Sequence, residues 1–133
     1  MKIHKLWDDN KFFDKSIAGA GITELHAAEN GIKTIVAQQS SISRHSMMKG
    51  RKPYTIKLVF DKESKKIIGG QIVSDAPSPV KHIDVIALAI RNEMTALDLT
   101  TIRCAGQPEL SPDPGIEPIS LVAENAFQKL YNN

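Results

Sequence analysis

The sequence predicts an α+β domain, an antiparallel β-sheet of about three to five strands with helices packed on one side. Three observations predict it. Residues 54–60, YTIKLVF, alternate so that Tyr54, Ile56, Leu58 and Phe60 share one face. A second β-rich run, IIGGQIVSD (67–75), follows a short charged turn, DKESKK. After Pro77 the period changes, and most of the remaining apolar residues recur at helical spacing.

SIAGAGI (16–22) is small and apolar and reads as a short strand. TELHAAEN then reads as a helix. Thr23 can accept from its free N–H groups, Glu24 suits its positive end, and Gly31 provides a left-handed exit. IKTIVAQQSSIS (32–43) is β-branched and partly alternating, a strand before the hairpin. The return strand of the hairpin carries Gly69-Gly70, which contribute no side chain; glycines in a strand mark a bend or a close backbone approach, here by the following helix. Pro77 and Pro79 open that helix, with Ser78 a candidate cap, over VKHIDVIALAIRN (80–92). Its middle, IDVIALAI, is apolar almost all round, more than one covering sheet requires. Thr95 and Asp98 have capping-box spacing. QPELSPDPGIEP (107–118) is a proline-rich loop. Pro118 starts a last helix, 118–130, with Ile119, Val122, Ala123, Ala126, Phe127 and Leu130 on one stripe. Residues 1–16, with Trp7, Phe12 and Phe13, form an N-terminal extension or linker, and residues 17–133 a single domain.

Composition bounds the function. The chain has 133 residues, 41% apolar and 24% charged, with net charge +2. That balance gives no reason to expect a nucleic-acid or membrane partner. No stretch approaches the roughly 20 apolar residues of a membrane span, and the N-terminus lacks a signal-peptide core, so the expected location is the cytoplasm. Cys104 is the single cysteine, which rules out an intrachain disulfide and a thiolate metal cage. It reads as a buried apolar residue rather than a redox thiol.

Candidate chemistry is sparse. His4, His26, His45 and His82 lack the spacing that would converge ligands on a metal. No serine sits in a nucleophile elbow. Gly19-Ala20-Gly21 precedes a helix but lacks the third glycine and downstream acid of a dinucleotide fingerprint, which favours close packing. Arg44, His45, Lys49, Arg51 and Lys52 cluster in one stretch, read as a solvated connecting loop in preference to a phosphate site. Asp84, inside the apolar helix, is either a buried functional carboxylate or, as favoured, a first-turn acid facing the helix dipole. A sound core without a catalytic set points to association as the role.

Four stretches, GITE with its helix, KLVFDKESKKIIGGQIVS, IDVIALAIRNEMTALDL and PELSPDPGIEPI with its helix, stand in an order and spacing that carry a resemblance over about residues 17–127. They resemble the C-terminal dimerisation domain of the FAD-dependent pyridine nucleotide-disulfide oxidoreductases, in the branch of NADH oxidase, NADH peroxidase and coenzyme A-disulfide reductase. The resemblance implies that FAD and NAD(P)H domains and a redox cysteine belong to such enzymes outside the region matched here. It implies a homodimer, with Ile83, Ile86, Ile90, Pro108 and Leu110 at the interface. It also implies that Gln107, Pro108, Glu109 and Leu110 approach the partner's flavin, while this chain itself holds no cofactor, no metal and no catalytic residue. Glutathione reductase and lipoamide dehydrogenase relatives have a His-Pro pair at this place and a Glu beyond it. Here Gln107-Pro108 and Pro112 stand instead, and a Gln side chain cannot exchange a proton near neutral pH.

Two other readings compete with the dimerisation domain. One is a regulatory or binding subunit that docks on a separate flavoprotein. The other is a small enzyme with a site between the basic stretch 44–52 and Asp84.

Overall fold

The computed structural model describes residues 15–103 and 106–132. Most of the predicted N-terminal extension, with His4, Trp7, Phe12 and Phe13, lies outside the described residues, as does Cys104.

Four strands form one antiparallel sheet in the order β1-β4-β3-β2. They are β1 (Ser16–Gly21), β2 (Thr34–Ile42), β3 (Pro53–Asp61) and β4 (Ile67–Ser74). The four predicted strands are therefore all present. Gly19-Ala20-Gly21 pairs with Gly69–Gln71 inside the sheet and forms no phosphate-binding turn.

Alternation decides the two faces. Tyr54, Ile56 and Leu58 of β3 are buried, together with Ala37, Ile72 and Phe60. Helix α2 (His82–Arg91) covers this face over β1 and β4, and α4 (Pro118–Tyr131) covers it over β2 and β3. The short helix α3 (Ala96–Thr100) packs against α4. The opposite face carries Ser40, Thr55, Lys57 and Gln71 in register. There Lys57 pairs with Glu24 of α1 (Glu24–Glu29), so the helices gather on one side with the exception of this short one.

The caps follow the sequence closely. Thr23 Oγ1 accepts from the His26 N–H at 3.1 Å, and Gly31 has φ +73°. Thr95 and Asp98 form the reciprocal capping box of α3. Ser78 makes no cap bond; it opens a 3₁₀ turn, Ser78–Lys81, that leads into α2. Asp84 is exposed and bonded to Lys81 Nζ at 2.6 Å, so it is not the buried carboxylate of the first alternative. Every residue of the predicted α4 stripe is buried or half-buried, and Glu117, 7% exposed, caps that helix at the Ile119 and Ser120 N–H groups.

Gly69 and Gly70 face opposite sides of the sheet. A Cβ on Gly69 would lie 1.9 Å from the Ile22 carbonyl oxygen, and one on Gly70 would lie 2.7 Å from Ile86 Cγ2. One glycine admits the chain leaving β1, and the other admits α2. Close approach explains both.

Candidate functional site

The exposed proline-rich loop is a built structure. Gln107 C=O accepts from the Leu110 and Ser111 N–H groups, both at 2.8 Å. Ser111 Oγ donates to the Gln107 carbonyl at 3.0 Å and accepts from the Gln107 N–H at 2.8 Å. Gln107 Oε1 turns back to accept from the Glu109 N–H at 2.7 Å. These bonds make 107–111 a tight turn that holds Gln107, Pro108, Glu109 and Leu110 at the surface, Leu110 at 60% exposure.

A second loop, residues 43–52, holds the turn from the side. Its base is closed by Ser43 N–H to Lys52 C=O at 2.9 Å and by Lys52 N–H to Ser43 Oγ at 3.0 Å. Arg44 donates to the Lys49 carbonyl at 3.0 Å. Arg51 donates to the Ser46 and Met48 carbonyls. The arginines therefore brace their own backbone, which argues against the phosphate site. The loop is also more than a solvated connection. His45 N–H donates to the Pro108 carbonyl at 2.8 Å, and His45 Nε2 lies 2.8 Å from Asp113 Oδ1. Ser46 donates its N–H and its hydroxyl to the same carboxylate. The Ser46 N–H first, with the Ser46 hydroxyl and His45, holds the Asp113 carboxyl below its ordinary pKa.

His82 stacks on Tyr54, ring centroids 6.1 Å apart. Burial pushes its pKa down, and the Glu117 carboxylate partly offsets this. His82, Ser111, Asp113 and Glu117 line one small cavity. Among the described residues no group of His, Cys, Asp or Glu could hold a metal ion. None of these helices is long and apolar enough to cross a membrane. Among the described residues Asp84 is engaged with Lys81 of its own segment, and no hydrogen bond or ion pair joins it to the basic loop.

The residues expected at an interface divide. Pro108 and Leu110 are exposed, Ile83 and Ile90 are half-buried, and Ile86 is inside the chain's own core at 1% exposure. Ile86 cannot face outward because it lies on Gly70. On α2 and α3 the outward leucines are Leu88, 62% exposed, and Leu97, 53% exposed. The run 83–90 is apolar almost all round in sequence; within it only Ile86 and Ala89 are fully enclosed, and Leu88 is exposed.

Residues 9–114 match the model of the pyridine nucleotide-disulphide oxidoreductase dimerisation domain. The chain belongs to this family. It is 31% identical over 123 residues to an NADH oxidase of Methanocaldococcus jannaschii, covering 92% of this chain and 27% of that protein. It is 29% identical to a coenzyme A disulfide reductase of Staphylococcus epidermidis, covering 76% of this chain and 22% of the relative. Among solved structures, the NAD-dependent persulfide reductase from A. fulgidus superposes with TM-score 0.79 at 31% identity, over 88% of this chain and 21% of that one. The chain thus spans about a quarter of the length of the curated relatives it matches. It is a dimerisation domain of the kind found in NADH oxidase-like flavoprotein oxidoreductases, and the four-stranded sheet under helices is that domain's fold.

Proposed function

We propose that this domain pairs two copies of an FAD-dependent NAD(P)H oxidoreductase of the NADH oxidase type, in the cytoplasm, and lends the turn Gln107–Leu110 to the partner's flavin site. Residues 17–133 are the interface domain and 1–16 its lead-in. The outward leucines carry the reading: Leu88 stands in water on a helix that covers the sheet, and Leu97 on the short helix packed against the other covering helix. In a dimer interface of about 1,200–2,000 Å² such residues supply the apolar centre.

Flavin, bound in the parent enzyme, supplies two-electron transfer from NAD(P)H to an acceptor. The residues of this chain fit a wall and not a binding pocket for it. Gly19–Gly21 is paired in the sheet, and the arginines of 43–52 are engaged with their own backbone. The turn presents Pro108 and Leu110 as apolar surface. The Gln107 amide keeps its N–H donors available, since only Oε1 is engaged. Such a wall excludes water and offers a hydrogen bond, and it moves no proton.

Sedimentation velocity at micromolar concentration tests the pairing. The chain should sediment as a dimer, and Leu88→Asp or Leu97→Asp should shift it to monomer. Both side chains are exposed, so each change should alter folding stability by less than about 0.5 kcal/mol. A monomer throughout the micromolar range would overturn the proposal. A regulatory subunit docking on another flavoprotein would instead give a monomer that binds a yellow partner protein.

A further inference from the structure

We infer that loop 43–52 is a positioning element for the turn 107–111, and that His45, Ser46 and Asp113 are the residues that set where that turn points. The inference rests on the reading of the turn as partner-facing. The turn is tied to itself by its own bonds, so it moves as a unit. What orients it is the set of contacts to segments outside it. These are the Pro108 carbonyl held by the His45 N–H at 2.8 Å, and Asp113 held by Ser46 and His45.

The bonding fixes the state of His45. Its Nδ1 accepts from the Met47 N–H at 3.1 Å. An N–H donates only to a lone pair, so Nδ1 carries no proton and the neutral ring has its proton on Nε2. That proton points at Asp113 Oδ1, 2.8 Å away. The histidine is thus a connector, with one nitrogen holding its own loop and the other holding Asp113. Neither the two arginines of the loop nor the acid of the turn bonds to the His45 or Asp113 side chain. Arg44 and Arg51 bond backbone carbonyls, and Glu109 is exposed on the turn. Asp113 has four donor contacts converging on it from two consecutive residues, 67 positions earlier in the chain in the case of Ser46. A carboxylate so placed serves as an anchor.

The test is nuclear magnetic resonance of the 133-residue chain at about pH 7.5, where an ordinary histidine is neutral. The imidazole nitrogen spectrum of His45 should show the Nε2–H tautomer. In Asp113→Ala, hydrogen-exchange protection of the His45 and Ser46 amides should fall about tenfold or more, while the Leu58 and Ile72 amides of the sheet stay unchanged. Asp113→Asn keeps an oxygen for the Ser46 N–H and should recover that amide's protection. His45→Gln retains a donor near Asp113 and should perturb the turn less than His45→Ala. A Nδ1–H tautomer, or unchanged His45 and Ser46 protection in Asp113→Ala, would overturn the inference. Sedimentation of the same samples separates it from the pairing proposal. A monomeric chain with responsive amides refutes pairing alone, and a dimer with unresponsive amides refutes the positioning role alone.

Discussion

In the β3–β4 hairpin, Gly69 lies against the Ile22 carbonyl and Gly70 lies beneath the Ile86 side chain. In the loop that follows α3, Pro108 and Asp113 are held by His45 and Ser46. Both arrangements fix one chain segment against another. The hairpin does so by removing atoms, so that backbone and helix come close and water is excluded. The loop does so by adding polar bonds at the surface, where water competes for every donor. The first should be intolerant of volume and indifferent to pH. The second should tolerate volume and respond to acid.

Gly69→Ala puts the heaviest strain on the comparison. The new methyl would lie 1.9 Å from a carbonyl oxygen of the backbone, which has no rotamer to relax into. A loss of about 3 kcal/mol or more is expected, since overpacking against a rigid partner lies at the top of its usual range. Urea unfolding with an unchanged slope measures it. A loss below about 1 kcal/mol would mean that the chain leaving β1 gives way, and that the closeness is incidental.

Gly70→Ala comes next, because its neighbours are side chains. The methyl would lie 2.7 Å from Ile86 Cγ2 and 3.1 Å from Leu58 Cδ2. A cost of about 1–2 kcal/mol is expected. Leucine branches at Cγ and lacks the Cγ2 methyl that isoleucine carries on Cβ, so Ile86→Leu in the same chain should recover part of the loss. A double-mutant cycle with no coupling would show that α2 does not rest on Gly70.

The two regions also differed in how far they could be foreseen. Period-two alternation in 54–60 and the glycine pair are local signals, and they yielded the hairpin, its buried face and the close approach. Thr23, Thr95 and Asp98 yielded their caps for the same reason. Leu88 and Ile86 were not separable, because a run apolar all round does not show which side meets the sheet; that is set by where Gly70 falls. The grip on the proline-rich loop was invisible. Ser46 and Asp113 are 67 residues apart, and no spacing rule links a basic stretch to one aspartate at that distance. The prolines of 107–118 marked an ordered loop, which was the only available hint. Glu117 as the cap of α4 carries no sequence signal, because glutamate is not among the usual cap residues and Pro118 marks only the first helical position.

Acid should separate the regions. Asp113 is held below its ordinary pKa of 3.8, chiefly by the Ser46 N–H. A depressed carboxyl stabilises the native arrangement above its unfolded pKa and loses that contribution as pH falls through the lower folded value. As pH falls below about 3.8 the His45 and Ser46 amides should therefore lose protection while the Leu58 and Ile72 amides keep theirs. Simultaneous loss at all four amides would erase the contrast between a polar grip and a packed hairpin.

His82 sits where the two regions meet, and its effect should be the smallest. One side of its ring stacks on Tyr54 of β3, and it shares a cavity with Ser111, Asp113 and Glu117. Burial lowers its pKa from 6.5, with Glu117 opposing. For a histidine depressed in the folded state, the unfolded chain binds the proton more readily. Stability is therefore complete above about pH 6.5 and declines as pH falls from there toward the folded value. This window lies above that of Asp113, so the step due to His82 should precede the step due to Asp113. His82→Phe keeps a ring against Tyr54 and removes the titrating group. It should flatten the pH dependence of stability just below about pH 6.5 and leave the Asp113 step in place. If the upper step persists in this variant, the proton acts elsewhere, and the hairpin and the loop do not communicate through this ring.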